Sequence, residues 1–560
     1  MGETGGVVMV LRKKLAAILA ATALTATSLV GCGSTGENGS TGGKAGDPYN
    51  VLANKNAREA IALAVDKQPI CDVILNNGSK PVNYFTGENL AVNDGKDYIE
   101  LTKDAGYEHD DAKAAEAWNK AKEEVGFDTV ELEILSSDTD VSLKMAEYLQ
   151  GEIQQSLEGV TVKIKSVPFK QQLQLQTSGD YHISTAGWSP DYPDPLTFLD
   201  TMVTGKQYAA QTGYSSEEYD KLINEAKNET DLGKSWAKYA EAEKLMLSDA
   251  YMIPLYQKTI SYLEKPEVSG ILRNNWGAPY GFKNADIDRA NKELNISRGA
   301  DASSLDPSKA TDAESSLILS NVMEPLTRVN EKGDVVPGAA EKWSVSEDGL
   351  TWTFNLRKGA KWSNGDEVTA KDFEYSWKRT IDPKTASEYA WILYDIEGAE
   401  EANTKGGSLD NVGVKAVDDY TLEVKLNRPV TYFNKMVVDA RFLPQNQKFV
   451  ESQGDKFGNS VETTVFNGPF TLTTWKIEDQ YIMSKNADYW DASTVKLNKV
   501  NVKITKDTNA DVNLYENGDI DLVGLSAEFV EKYRKDPNFK EQAQSGVYYM
   551  EVNGGKGTSK

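Results

Sequence analysis

The chain has 560 residues, 39% of them hydrophobic and 26% charged. That length exceeds what one compact core usually holds and predicts two or more domains, and the composition is that of a soluble globular protein. A net charge of −24 argues against a nucleic-acid partner and gives no reason to expect attraction to anionic lipid; its bland reading is a strongly solvated surface.

In chain order, Arg12, Lys13 and Lys14 precede "LAAILAATALTATSLVGC". A basic cluster, an apolar run and then small residues make an export signal. The run from Leu15 to Val30 is 16 residues long and carries several Thr and Ser, which is short for a stable membrane span. "LVGC", ending at Cys32, resembles the lipobox of bacterial lipoproteins. The resemblance implies cleavage before Cys32 and lipidation of its thiol, tethering a water-soluble body to a membrane. The competing reading is an ordinary cleaved signal with an incidental cysteine. With Cys32 lipidated, Cys71 has no partner, so no disulfide is expected; Cys71 reads as a small buried apolar residue. Residues 33–47, "GSTGENGSTGGKAGD", read as a flexible linker.

"NKNAREAIALAVDK" places Ala57, Ile61, Ala64 and Val65 on one face of a helix. "HDDAKAAEAWNKAKEEVG" is a second helix ending near Gly126. "TVELEILSS" and "VTVKIKSVP" alternate as strands with a helix between them, a βαβ unit that points to α/β architecture. Two amphipathic helices follow in "SEEYDKLINEAKN" and "GKSWAKYAEAEKLMLSDA". The region 342–380 holds a hairpin-like pair of strands around Gly349 and Gly359, with a helix from about Thr369. "DDYTLEVKLNRP" and "NVKITKDTNADVNLYENGDIDLVG" continue the α/β pattern. There is no internal repeat.

Motifs for catalysis are scarce. The two histidines, His109 and His182, are far apart, and HExxH, GxSxG and GxxxxGK[ST] do not occur. Paired carboxylates of a glycosidase type are compatible with any acid-rich chain, so they identify nothing here. "NADIDRANKELN" lacks the oxygen-ligand spacing of a calcium loop. The expectation is a non-enzyme with neither metal nor cofactor.

"PGAAEKWSVSEDGLTWTFNLRKGAKWSNGDEVTAKDFEYSWKRTIDP" (337–383), "NGPFTLTTW" (467–475), "SKNADYWD" (484–491), "YENGDIDLVG" (515–524), the helix at 54–70 and "STAGWSPDYPDPLTFLD" (184–200) resemble the peptide/nickel class of extracellular solute-binding proteins. Within that class the sequence is most similar to the oligopeptide-binding lipoproteins of ATP-driven (ABC) importers. The resemblance covers nearly all of residues 48–553. It implies an α/β, two-lobed periplasmic-binding-protein-like fold (type II, large peptide-binding class) whose lobes close around an extended peptide.

The segment order departs from the family. There the signature region comes first, then a strand like "GVYYMEVN", then the helix found here at about residue 54. Here "GVYYMEVN" (546–553) nearly ends the chain, and "WGAPYGFKNADID" (276–288), which resembles the family's C-terminus, runs into a stretch resembling its mature N-terminus. The order therefore reads as circularly permuted, with new ends at 45–50 and 553–560. The expected divisions are a signal segment with lipobox (1–32), the linker (33–47), the second lobe (48–258), a hinge return with the family's C-terminal segment (259–290), the first lobe (291–553) with an extra subdomain at about 335–465, and a flexible tail (554–560). One covalent hinge connection is lost in this order, and a crossover remains near 252–265.

The resemblance implies that Asp191 binds the ligand's α-ammonium; the alternative is that it caps a turn of its proline-rich loop. Asp194 reads as the cap of a helix starting near Pro195. Trp188 and Tyr192 are expected to wall the adjoining side-chain pocket, with core packing as the alternative for Trp188. Phe169, Tyr389, Asn467, Gly468, Phe470 and Glu324 match family positions at or near the cleft; an exposed surface Glu is the alternative for Glu324. The implied partners are an oligopeptide, ABC permease subunits and, through the lipid anchor, the outer face of the cytoplasmic membrane, with the protein a monomer. Ligands of other branches (a dipeptide, a nickel chelate, haem) or a peptide-pheromone sensor role would use the same scaffold.

Overall fold

The computed structural model describes residues 43–555 apart from positions 94, 230 and 274. Cys32, the signal segment and most of the linker lie outside the described residues. The last linker residues are docked rather than free. The Lys44 amide donates to the Asp128 carboxylate at 2.6 Å, and Ala45 bridges to Thr129.

Helix α1 (Lys55–Ala64) is capped by Asn54, whose side chain accepts from the Ala57 amide, and its apolar face is buried as the spacing predicts. α2 (Asp111–Val125) starts on Asp110 and stops where Gly126 turns left-handed at φ 79°. β1 (Val130–Ser137), α3 (Asp140–Ser156) and β2 (Val160–Val167) form the expected βαβ unit, with β1 and β2 parallel along their whole length. α4 (Phe169–Thr177), β3 (Ile183–Trp188), α5 (Gln207–Thr212), α6 (Glu217–Lys227) and α7 (Leu232–Ser248) lead to the long strand β4 (Met252–Glu264).

Beyond it come β5 (Glu293–Arg298), α8 (Ala313–Val322), the hairpin β6 (Ala340–Val345) and β7 (Thr351–Leu356), and α9 (Ala370–Ile381) with its capping box at Thr369. β8 (Val414–Asp418) and β9 (Thr421–Lys425) complete a separate four-stranded sheet in the order β6-β7-β9-β8. The chain then returns through β10 (Phe470–Lys476), β11 (Gln480–Lys485), β12 (Lys499–Ile504), α10 (Thr508–Asn517), β13 (Leu522–Gly524) and the long strand β14 (Phe539–Val552).

One continuous sheet runs through the molecule in the order β10-β11-β12-β5-β13-β4-β14-β3-β1-β2. Its two central strands join two bodies. β4 pairs with β13 only through residues 262–264, and β14 pairs with β3 only through residues 547–552. Between those ends β4 and β14 pair with each other, and the register shifts between Ala543 and Val547. That irregularity, at Gln544, Ser545 and Gly546 opposite Lys258, lies where the chain crosses from one body to the other.

The far end of β14 is hydrogen-bonded to the N-terminal body. Asn553 donates its amide to the His182 carbonyl, and the amides of Gly554 and Gly555 both reach the Thr212 carbonyl. A Cβ on Gly554 would stand 2.8 Å from the Leu52 carbonyl, so this end of the chain packs directly on the segment leading into α1. The two regions expected to be new ends are therefore neighbours in space.

The crossing irregularity is braced by Gly87, where an added Cβ would fall 1.8 Å from the Ser545 carbonyl oxygen. Gly87→Ala forces that backbone to move. It is expected to cost about 1–3 kcal/mol, the scale of an overpacked core site, and to lower the thermal midpoint in a calorimetric scan.

Candidate ligand-binding site

A cavity of about 430 Å³ lies between the two bodies, within the range of small-ligand sites. The crossing strands form its floor through Lys258, Ile260, Gln544 and Gly546. The bodies are drawn together around it. Lys506 reaches Asp138 at 2.8 Å and Glu478 at 2.7 Å, the Thr177 hydroxyl donates to Glu388 at 3.0 Å, and Lys170 donates to the Ser303 carbonyl at 3.0 Å.

Asp191 stands in the wall of this cavity. Pro190, Pro193 and Pro195 keep its loop out of a regular helix. The loop amide of Asp191 donates to Thr197 Oγ1, but its carboxylate faces the opposite body: Oδ1 accepts from Arg441 Nη2 at 2.7 Å and Oδ2 from the Tyr389 hydroxyl at 3.3 Å. Capping falls to Asp194, which accepts from the Leu196 amide at 3.0 Å. The structure thus gives the two acids different partners.

Arg441 was not visible from sequence. Its guanidinium lies between two carboxylates, Asp191 and Asp439, each at 2.7 Å, with Nη1 donating to the Ser316 hydroxyl and the Tyr389 ring 4.2 Å away. All three charged groups are buried. One cation can neutralise only one of two carboxylates, so the second either carries an unbalanced charge out of water or holds a proton. Burial is accordingly the largest influence on Asp191, pushing its carboxyl up to about 7 against the opposing pull of Arg441, and it raises Asp439 as well. Across the whole lining, carboxylates outnumber cations five to three. Arg298 is taken up by Glu314. Lys258, by contrast, donates to the Tyr548 hydroxyl at 3.2 Å and pairs with no carboxylate among the described residues.

Of the residues singled out from sequence, Asp191, Trp188, Phe169 and Tyr389 line the cavity together. Trp188 stacks on Tyr389 with centroids 5.9 Å apart, so one ring from each body meets at the wall. Tyr192 does not line the cavity. It is buried in a parallel stack with Tyr432 at 5.5 Å, where the loop's next turn carries it into the packing between bodies. Asn467, Gly468, Phe470 and Glu324 also lie away from the cavity. Asn467 Oδ1 accepts from the Glu324 amide, and Gly468 is pressed on the backbone of Val322 and Met323. Phe470 is in the core. Glu324 is buried, not exposed, and is bound by Arg328 and the Tyr489 hydroxyl at 2.9 Å. These four build the fold beneath the site.

Cys71 is buried, with its thiol pushed up to about 12 by desolvation. Asp286, in "NADIDRANKELN", pairs with Lys292 and Lys496. Among the described residues no group of three or more His, Cys, Asp or Glu is placed to hold a metal ion, and no helix is long and apolar enough to cross a membrane.

The model of the bacterial extracellular solute-binding proteins, family 5 (middle region), matches residues 36–210 and 334–559. The chain belongs to that family, which comprises solute-binding proteins rather than enzymes. It is similar to the oligopeptide-binding protein OppA of Bacillus subtilis (strain 168), with 40% identity over 265 residues, 46% of this chain and 49% of the relative. It is also similar to the dipeptide-binding protein DppE of the same organism, with 41% identity over 262 residues, 47% and 48%. The chain spans about half the length of the curated relatives it matches. Among solved structures it is similar to the substrate-binding domain of an oligopeptide ABC transporter from Bacillus anthracis str. Ames, with 47% identity, a TM-score of 0.44 and coverage of 44% of this chain and 48% of that one. The Listeria monocytogenes OppA bound to peptide shows 35% identity, a TM-score of 0.44 and coverage of 44% and 49%.

Near the cavity, Glu551 of β14 is buried against the Tyr181 hydroxyl and Gln176, and its carboxyl is pushed up to about 7. An acid raised on folding binds its proton more tightly in the folded chain. Its contribution to stability is full below the unfolded value and is lost as pH rises through about 7. Asp191 acts in the same direction. The thermal midpoint of the ligand-free protein is expected to fall between pH 5 and pH 8. Glu551→Gln should remove that residue's share of the slope, at most about 1.4 kcal/mol per pH unit. A midpoint that rises with pH over this range would contradict the assignment.

Proposed function

We propose that the protein captures oligopeptides between its two bodies, with Asp191 receiving the peptide's α-ammonium. The observation that carries this reading is the Asp191–Arg441–Asp439 group in the cavity wall, two acids on a single cation. A peptide offers the same two end charges and the same backbone donors and acceptors whatever its sequence. A buried carboxylate matched to one end fixes register without choosing side chains. Lys258, without a carboxylate partner, is suited to meet a ligand acceptor at the crossing strands. The names of the relatives, which include oligopeptide- and dipeptide-binding proteins, agree with this ligand class.

In this reading the peptide stabilises the closed arrangement by touching both bodies. The closed, loaded protein then delivers it to an ABC permease on the outer face of the cytoplasmic membrane, held there by lipid on Cys32. The segment order is rotated relative to the family, a reading supported by the packing of Gly554 on Leu52 and by a fold that closes both bodies despite the order.

Calorimetric titration with tri- to hexapeptides tests the proposal. Free-amine peptides are expected to bind, and N-acetylation or Asp191→Asn should weaken them by roughly 1.5–3 kcal/mol, the scale of a hydrogen bond to a charged group. Equal affinity for acetylated and free-amine peptides would remove Asp191 from the anchoring role.

A further inference from the structure

One edge of β4 lacks a strand where the chain crosses between the bodies. Its other edge pairs with β14 on both sides of the register break. On the first edge β13 pairs with residues 262–264, and the short strand Lys80–Pro81 pairs with Gln257 and Tyr256. No strand among the described residues covers that edge at 258–261. The segment "NNGS", residues 76–79, lies there instead. Ser79 Oγ accepts from the Thr259 amide at 3.0 Å and donates to the Thr259 carbonyl at 3.4 Å, so one hydroxyl serves both backbone groups that a neighbouring strand would serve. Ser261 Oγ donates to the Asn77 carbonyl at 3.1 Å. Ser79 and Ser261 are both buried. An uncovered edge would be open to pairing with another chain.

The segment is rooted in the N-terminal body, and its tip reaches the other. Gln257 fixes the root. Its Oε1 accepts from the Tyr84 hydroxyl and the Glu88 amide, each at 2.8 Å, and its Nε2 donates to the Gln544 carbonyl in the register break at 2.9 Å. At the tip Asn76 takes left-handed backbone at φ 43°, a conformation that Asn tolerates better than most residues. Its Nδ2 donates to the Ala527 carbonyl of the opposite body at 3.1 Å. Residues 76–79 lie outside the cavity lining. We infer that this segment is a splint: a third, hydrogen-bonded line of attachment beside the two crossing strands, which favours the closed arrangement and so raises ligand affinity without touching the ligand. Two-stranded ribbons twist more strongly than wider sheets, and a third segment along the edge restrains that twist. Rotation of one body about the crossing parts Asn76 from Ala527, since each rides on a different body. Asn76 is thus a positioning residue for closure. The inference rests on the closing of the bodies proposed above and not on the identity of the ligand.

Small-angle X-ray scattering of the ligand-free full chain, joined to calorimetric titration with Ala-Ala-Ala, tests the splint. Asn76→Asp keeps the side chain's size and its tolerance of left-handed backbone but turns the donor into an acceptor facing the Ala527 carbonyl. It should enlarge the radius of gyration of the ligand-free chain and weaken Ala-Ala-Ala binding about three- to tenfold, the worth of one hydrogen bond. The ratio of affinities for Ala-Ala-Ala and its N-acetylated form should stay unchanged, because the splint makes no contact with the ligand. Asn76→Gly, which enters this backbone without strain and carries no donor, gives the same readout should the carboxylate disturb the turn. An unchanged radius in both variants overturns the splint, and a lowered thermal midpoint alone is the mark of a merely structural role. An enlarged radius in a chain that binds no free-amine tripeptide supports the splint and overturns the peptide reading.

Discussion

A guanidinium held between two buried carboxylates governs the closed arrangement. Arg441 and Asp439 come from one body and Asp191 from the other, so the charge group exists only when the bodies meet. Each carboxylate taken out of water is costly, and the cation offsets only part of that cost. The arrangement therefore holds the bodies in register with one acid more than the cation can neutralise at the cavity wall. In the proposed reading a ligand that brings a positive group balances that second acid, and closure and ligand charge are linked through a single set of atoms.

The sheet joins the two bodies into one molecule. Among the described strands only β4 and β14 cross, and they pair with each other through the crossing with a break in register at residues 544–546. Gln544 and Gly546 of that break lie in the cavity floor. The end of β14 is secured by pairing with β3 and by the Thr212 carbonyl.

Much of this was legible in the sequence, for identifiable reasons. The βαβ unit of β1, α3 and β2 followed from alternation and from a helix of the right length between, and α2 was bounded by Asp110 and Gly126, both strong end signals. Asp194 was legible as a cap because it precedes a helical turn, whereas the role given to Asp191 came from the family resemblance. Arg441 was not legible. It lies 250 residues from Asp191, and nothing local to "VVDARFLP" distinguishes it from any solvated arginine. Tyr192 was misplaced because a loop's side chains alternate in direction and sequence does not say which turn inward. Glu324, Asn467, Gly468 and Phe470 were placed at the cleft, whereas the structure gives them to the packing beneath it.

The central claim is that the Asp191 group takes up a ligand's ammonium. Calorimetry at pH 6 in buffers of different ionisation enthalpy tests it most directly. There the ligand's amine is already charged, while burial raises the Asp191 carboxyl well above the usual carboxylate range, so that it binds a proton more readily than a free acid. Binding a free-amine peptide should release protons, and the N-acetylated peptide should release none. Tight binding of the free-amine peptide without proton release would contradict the account.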